Sequence, residues 1–316
     1  MTIPIILVIV GFVSLIFGAN WLVDGASALA KKHNISNLAI GLTIVAFGTS
    51  APELVVNTIA SFQGHSDIVL GNIIGSNNFN IFLILGIAGL IYPLTVQSST
   101  VWREIPISLV AALLLLLLGN GVIGNVLEIS RIDGAIMFLA FLLFLFYVYK
   151  QMKANEIEVV TSENKSNARI WGLIVVGFAG LVVGGQLVVN SSIQIATSLG
   201  VSEKIIGLTI IAAGTSLPEL LTSVVAAIKK NSDIAIGNVI GSNIFNILLI
   251  IPISAFVRPV QFNLSFNLDI AILIGGTIFL FIAMFTGKKK KLDRWEASLL
   301  LSFYLVYTIY LVWKEI

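Results

Sequence analysis

The fold is decided by a stretch that occurs twice, as Gly41-Leu-Thr-Ile-Val-Ala-Phe-Gly-Thr-Ser-Ala-Pro-Glu53 and as Gly207-Leu-Thr-Ile-Ile-Ala-Ala-Gly-Thr-Ser-Leu-Pro-Glu219. Each copy opens a longer segment. Residues 41–81 align without gaps on residues 207–247, and 24 of the 41 positions are identical. Shared apolar composition would match Leu and Ile, but it would not match Gly, Pro, Glu and Asn at one constant offset of 166. The chain is therefore an internal duplication.

Composition places both copies in a membrane. Apolar residues make up 57% of the 316 residues, and charged residues make up 11%, whereas soluble domains carry about 25% charged residues. Apolar runs of about 17–25 residues recur along the chain, and each is long enough to cross a bilayer. Runs such as 109–118 do not alternate as barrel strands would, so we expect an all-α polytopic protein. The predicted spans are 5–29, 38–62, 68–91, 105–120, 132–149, 170–196, 205–228, 234–257, 268–286 and 295–313.

Ten spans give five to each copy, and an odd number inserts the second copy upside down. We predict a first five-helix repeat over 1–150, a cytoplasmic linker over 151–168, and an inverted second repeat over 169–316. With the N-terminus outside, 14 of the 18 basic residues fall on the inner side, which favours both termini outside a cell membrane. Inverted repeats are typical of secondary transporters, whose sites lie near the midplane at the repeat interface.

Glu53 and Glu219 are the candidate centre of such a site. Each lies deep in a predicted span, where an ionised group is costly unless it is paired, solvated or coordinating. No basic residue is near either of them in sequence, so they either bind cations or stay protonated. Pro52 and Pro218 remove a helical hydrogen bond one turn back. Broken helices are therefore predicted there, and a bilayer tolerates such backbone only where it lines a protein cavity.

A second motif, Gly-Asn-x-x-Gly-Ser-Asn-x-Phe-Asn, begins at Gly71 and again at Gly237. Three of its polar residues recur every four positions, which places them on one helix face: Asn72, Ser76 and Asn80 in the first copy, and Asn238, Ser242 and Asn246 in the second. Ser76 and Asn80, like Ser242 and Asn246, are candidate ligands, whereas Asn72 and Asn238 also suit helix packing. The chain contains no cysteine, and neither histidine falls in these motifs. An all-oxygen set favours a hard cation such as Ca²⁺ or Na⁺.

These paired motifs resemble the two alpha-repeats of the sodium/calcium exchanger family, in the calcium/cation antiporter superfamily, and most closely its compact prokaryotic members. The resemblance covers essentially the whole chain. It implies four sites in a central diamond, three Na⁺ exchanged for one Ca²⁺, and spans 1 and 6 sliding across the other eight. Some relatives have Asp at the position of Asn246, including members that move K⁺. Asn at this position therefore argues against K⁺ dependence.

The resemblance also assigns ligands. Ca²⁺ would be bound by Glu53 and Glu219 with the carbonyls of Thr49 and Thr215. The flanking Na⁺ sites would be lined by Ala46, Ser50 and Ser76 in one half and by Ala212, Ser216 and Ser242 in the other. Asn80 and Asn246 would face the middle.

Several other functions remain open from the residues alone. A proton-coupled antiporter for Ca²⁺ or another divalent cation would use the same two carboxylates as proton carriers. A channel suits inverted repeats with broken helices less well. An intramembrane enzyme would need a nucleophile with a base, or a metal with an open position, and we expect no enzyme activity. We also expect no cofactor, no nucleic acid and no obligatory protein partner. The expected partners are Ca²⁺, Na⁺ and the lipid bilayer.

Overall fold

A computed structural model describes residues 2–32, 46–96, 99–123, 126–153, 166–230, 232–286 and 290–315. The first half of the chain contains helices α1 (Thr2–Lys32), α2 (Ala46–Thr49), α3 (Ala51–Gln63), α4 (Ser66–Asn78), α5 (Leu85–Ile91), α6 (Ile105–Gly119) and α7 (Arg131–Lys153). The second half contains α8 (Asn167–Leu199), α9 (Glu203–Ile206), α10 (Ala212–Thr215), α11 (Leu217–Ile228), α12 (Ser232–Phe245), α13 (Ile251–Val257), α14 (Phe266–Ala283) and α15 (Arg294–Glu315).

π-Helical turns, which are wider than α-helical turns, connect several of these helices end to end. They cover Phe79–Ile84 between α4 and α5, Thr100–Glu104 before α6, Gly207–Ile211 between α9 and α10, and Asn246–Ile250 between α12 and α13. Two of them begin at or just before the last asparagine of the duplicated motif. Such turns are rare and occur frequently at functional sites.

The helices confirm the predicted all-α membrane architecture. Among the described residues, eight helices are long and apolar enough to cross a bilayer, or nine when the bent pair Glu203–Thr215 and Leu217–Ile228 is one span. Part of the predicted span 38–62 lies outside the described residues, and α2 and α3 form the rest of it. The chain is a multi-pass membrane protein with two inverted repeats.

Two short antiparallel strand pairs tie the repeats together at the helix ends. Strand β1 (Leu94–Thr95) pairs with β4 (Lys291–Leu292), and β2 (Glu128–Ile129) pairs with β3 (Val260–Gln261). Each pair joins a loop of the first repeat to a loop of the second. In the ten-span numbering, the loop after span 3 meets the loop after span 9, and the loop after span 4 meets the loop after span 8. Both pairings place the two loops on the same side of the membrane, as an inverted duplication requires.

The helices that carry the Gly-Asn motif lie at the centre of the molecule. The spans Ser66–Ile91 and Ile234–Val257 are 83% and 78% buried, whereas the other unbroken spans are 24–44% buried. Most of their polar side chains, including Ser76, Asn80, Ser242 and Asn246, are therefore buried within the protein, which is the environment that a cation site in a membrane requires.

Helices α1 and α8, the predicted sliding pair, pack directly on each other through glycines. A Cβ atom at Gly18 would lie 2.8 Å from the carbonyl oxygen of Gly177, and one at Gly177 would lie 2.6 Å from the backbone nitrogen of Leu22. The Ser14 hydroxyl adds a hydrogen bond of 2.8 Å to the Gly180 carbonyl. These glycines therefore hold α1 and α8 together as one unit, because only glycine permits such close backbone approach.

Candidate cation-binding site

Both predicted helix breaks are present, and each presents a glutamate. The backbone leaves helical geometry at Ser50 (φ −87°, ψ 6°) and at Ser216 (φ −85°, ψ 8°). The two halves of the second broken helix meet at 48°. Each new helix starts with the predicted proline near its N-terminus and carries Glu53 or Glu219 in its first turn. Both glutamates are only 1% exposed, and the positive end of the helix dipole stabilises a carboxylate at this position.

Hydrogen bonds between the repeats hold the two carboxylates. The Ser216 hydroxyl donates to Oε1 of Glu53 at 3.0 Å, and the Ser50 hydroxyl donates to Oε1 of Glu219 at 3.3 Å. The Ser242 hydroxyl lies 3.5 Å from the same Glu219 oxygen and 3.4 Å from the Ser50 hydroxyl. Each glutamate is therefore bonded by the serine of the other repeat, and the cluster lies at the repeat interface.

Four buried oxygen atoms of this cluster are left without a hydrogen-bond partner among the described residues. They are Oε2 of Glu53, Oε2 of Glu219, Oδ1 of Asn80 and Oδ1 of Asn246. Buried polar atoms in folded proteins nearly always have a partner, and an unsatisfied buried carboxylate is especially costly. The arrangement supplies two carboxylate and two amide oxygens, which are the ligand types that hard cations prefer.

The threonine hydroxyls are engaged by the first asparagine of the opposite repeat. The Thr215 hydroxyl donates to Oδ1 of Asn72 at 3.1 Å, and the Thr49 hydroxyl lies 3.5 Å from Oδ1 of Asn238. Asn72 is itself held by Asn57, whose Oδ1 accepts from its amide at 2.9 Å. Asn72 and Asn238 therefore hold the threonine hydroxyls across the repeat interface.

The remaining predicted residues lie around this cluster. Ser76 is fully buried, and its hydroxyl is 3.4 Å from Oδ1 of Asn72. Ser242 is equally buried and contacts Glu219 as described above, while Ala212 is buried at the start of α10. Ala46 begins α2, and its side chain lies outside the described part of the chain.

Besides Asn72 and Asn238, four polar residues of the network are not in the predicted ligand set: Asn57, Asn77, Ser223 and Asn243. The amide of Asn238 donates to Ser223 at 3.1 Å, as Asn72 donates to Asn57 in the other repeat. Asn77 and Asn243 contact each other and the two middle asparagines. The duplication contained a signal for them, since Asn77 and Asn243 are identical at the offset of 166, and Asn57 aligns with Ser223.

The ion pairs found among the described residues do not involve either site glutamate. They are His65–Glu203, Lys204–Asp269 and Lys291–Asp293. Within the same residues no group of three His, Asp or Glu side chains is gathered that could hold a metal ion. The negative charge of the cluster therefore comes from two glutamates, and neutral oxygens supply the remaining candidate ligands.

Comparison with known proteins identifies the family. The chain matches the family described as sodium/calcium exchanger protein over residues 3–150 and 169–313. The chain belongs to the sodium/calcium exchanger family. It is similar to the putative antiporter CaxA of Alkalimonas amylolytica, with 37% identity over 97% of this chain and 98% of that protein. It is also similar to the sodium/calcium exchanger MaX1 of Methanosarcina acetivorans, with 33% identity over 98% and 99% of the two chains.

A solved structure of the family has the same fold. The sodium-calcium exchanger NCX_Mj, soaked with 2.5 mM Na⁺ and 10 mM Sr²⁺, matches with a TM-score of 0.67 and 31% identity, covering 96% of this chain and 97% of that one. The predicted family and the predicted fold are both confirmed. Members of this family are transporters, and this chain is accordingly a membrane antiporter for cations.

Proposed function

We propose that this protein exchanges Na⁺ for Ca²⁺ across the membrane by alternating access, through the cluster centred on Glu53 and Glu219. The observation that carries the proposal is the set of four buried oxygens, two from carboxylates and two from amides, that have no hydrogen-bond partner within the described part of the chain. Two carboxylates neutralise one divalent ion, and the surrounding neutral oxygens complete a flexible cage of the kind that Ca²⁺ accepts. The same oxygens, divided among separate positions, suit several Na⁺ ions.

Within this proposal each predicted residue has a role. Glu53 and Glu219 bind Ca²⁺ together with the carbonyls of Thr49 and Thr215, whose hydroxyls are turned toward asparagines. Asn80 and Asn246 face the middle of the site. The flanking Na⁺ positions use Ala46, Ser50 and Ser76 on one side and Ala212, Ser216 and Ser242 on the other.

Coupling follows from the charge of the two glutamates. The Ser216–Glu53 and Ser50–Glu219 hydrogen bonds join the two repeats. The two carboxylates therefore lie close together when the site is closed. Without a cation, two unshielded carboxylates in a site closed to water repel each other. Closure is therefore favoured only when Ca²⁺ or Na⁺ is bound, and each ion shifts the conformational equilibrium by its differential affinity for the two states.

The proposal also includes the chain's organisation. Residues 1–150 and 169–316 form the two repeats, 151–168 connect them on the cytoplasmic side, and both termini lie outside. The family match stops at 150 and resumes at 169, which agrees with these bounds. Transport on this account needs Ca²⁺, Na⁺ and a sealed bilayer, and it requires no cofactor.

The test is uptake of radioactive Ca²⁺ by proteoliposomes. Vesicles loaded with Na⁺ are diluted into Na⁺-free buffer, and parallel vesicles carry K⁺ inside or a pH gradient in place of Na⁺. A Glu219→Gln variant serves as the site control, because it removes one charge and keeps the side-chain shape. We expect uptake that requires internal Na⁺ and is lost in the variant.

The vesicles with internal K⁺ or with a pH gradient, and the Glu219→Gln variant, distinguish the alternative functions. Uptake driven by the pH gradient without Na⁺ would replace sodium coupling with proton coupling through the same carboxylates. Uptake that requires K⁺ together with Na⁺ would contradict the K⁺-independence expected from Asn246. Unchanged Na⁺-driven uptake by Glu219→Gln would move the transport site away from this cluster.

A further inference from the structure

Two buried asparagines outside the predicted ligand set, Asn77 and Asn243, face each other across the repeat interface. They occupy the same position in the two copies, and both are fully buried. The Asn77 amide lies 3.4 Å from the backbone carbonyl of Asn243, and the Asn243 amide lies 3.3 Å from the backbone carbonyl of Asn77. The two residues are thus joined by a reciprocal pair of hydrogen bonds.

These contacts with backbone carbonyls determine the orientation of the side-chain amides of Asn77 and Asn243. A backbone carbonyl oxygen can only accept a hydrogen bond, so the group facing it must be the NH₂ end of the asparagine amide. A flipped side chain would place two oxygens against each other and leave both unsatisfied in a buried site, which is costly. The side-chain oxygens of Asn77 and Asn243 are consequently directed away from the shared contact.

Each of those oxygens meets the middle asparagine of the opposite repeat. The Asn246 amide donates to Oδ1 of Asn77 at 2.9 Å, and the Asn80 amide donates to Oδ1 of Asn243 at 2.9 Å. The NH₂ ends of Asn80 and Asn246 are occupied in this way, and their own oxygens have no hydrogen-bond partner among the residues that the structure describes. The backbone contact at each asparagine therefore determines the orientation of a candidate ligand in the other half.

We propose that Asn77 and Asn243 are positioning residues, which orient the amides of Asn246 and Asn80 so that oxygen, and not NH₂, faces the transported cation. The inference rests on the proposed cation exchange and goes beyond its ligand set. It makes each half of the site depend on the other repeat: Asn77 controls Asn246, and Asn243 controls Asn80. Loss of the acceptor at Asn77 frees the Asn246 amide to rotate and to present a donor, which a cation repels.

The test compares the KM for Ca²⁺ in Na⁺-driven uptake across three backgrounds. Asn77→Leu, which is nearly isosteric and lacks an acceptor, is expected to raise KM about three- to tenfold in the wild-type background. In an Asn246→Asp background the same change should raise KM less than about twofold or lower it, because a carboxylate has no NH₂ end to misorient. In an Asn80→Asp background the full increase should return, since Asn80 is oriented by Asn243.

A role in packing alone would give a different pattern. It would impair all three backgrounds alike, and an equal rise of KM in all three overturns the proposal, as does no rise in the wild-type background. The mirror experiment, Asn243→Leu with Asn80→Asp as the insensitive background, repeats the test if Asn77→Leu does not fold. If the wild-type protein shows no Na⁺-driven uptake, the proposed function itself fails. If uptake occurs without the background dependence, only the positioning role fails.

Discussion

Substitutions in the buried ion pair between Lys204 and Asp269 are expected to change the free energy of unfolding by amounts that follow from the burial of the two charges. The ammonium of Lys204 lies 2.6 Å from Oδ2 of Asp269, and the two side chains are 11% and 1% exposed. Lys204 also donates to the Ser265 carbonyl at 2.7 Å and lies 4.7 Å above the centre of the Phe266 ring. The hydroxyl of Tyr307 donates to the other Asp269 oxygen at 2.8 Å. Three segments, α9, α14 and α15, therefore meet at this pair.

The expected magnitudes differ sharply between single and double substitution. At an effective dielectric constant of about 20, two unit charges at this separation attract by about 6 kcal/mol, a gain that desolvation of both ions largely offsets. Asp269→Asn leaves a buried ammonium, and Lys204→Met leaves a buried carboxylate. Each is expected to cost about 3 kcal/mol, the lower end of the usual range because Lys204 is slightly exposed. The double variant should lie within about 1 kcal/mol of wild type, since no uncompensated charge remains.

The assay is the free energy of unfolding in detergent micelles for wild type, both single variants and the double variant. Strong coupling between the two positions is expected, and the double-mutant cycle measures it directly. Additive losses in the double variant, or single losses below about 1 kcal/mol, would refute the reasoning from burial. Either result would mean that the charges are better hydrated than their exposure indicates.

Three further predictions concern the helix pair and the site. Gly177→Ala should destabilise the protein by about 1–3 kcal/mol relative to Gly172→Ala in the same detergent unfolding assay. The three atoms nearest to a Cβ at Gly177 are backbone atoms of α1, whereas a Cβ at Gly172 would meet no atom of the described residues within 4 Å. Ser216→Ala should weaken Ca²⁺ binding about ten- to hundredfold by removing a hydrogen bond to a charged group. Titration calorimetry measures the change, with Ser298→Ala as the control, because among the described residues the Ser298 hydroxyl bonds only to the Arg294 carbonyl of its own helix. Glu53→Gln should abolish Na⁺-driven Ca²⁺ uptake, and a variant that exchanges Ca²⁺ at the normal rate would contradict the charge-coupling argument.

The features that the sequence predicted depend on composition, on the repeat and on the chemistry of single residues. The duplication, the ten spans and the inverted topology follow from composition and a constant offset. The breaks before Glu53 and Glu219 follow from the chemistry of Pro52 and Pro218, which lack an amide hydrogen whatever surrounds them. The oxygen-rich character of the site was likewise visible in the two motifs.

What sequence did not predict depends on contacts between distant segments. Lys204 and Asp269 are 65 residues apart, and Asp269 aligns with Arg103 at the repeat offset, so the duplication gives no hint of the pair. Asn77 lies within the second motif, but a helical period of four places Ser76 and Asn80 on one face and Asn77 on another. The π-helical turn at Phe79–Ile84 changes that period, and the role of Asn77 depends on a backbone carbonyl from the other repeat.

The central claim is that Glu53 and Glu219 form one cation site, and anomalous diffraction from crystals soaked in Sr²⁺ at low Na⁺ tests it most directly. Strontium is a divalent, oxygen-preferring ion, and its position can be located without assumptions about the ligands. We predict a single strong peak inside the molecule, between the carboxylates of Glu53 and Glu219, that disappears when Na⁺ is raised. Strontium bound only elsewhere, or a peak that persists unchanged in Glu219→Gln crystals, would contradict the account.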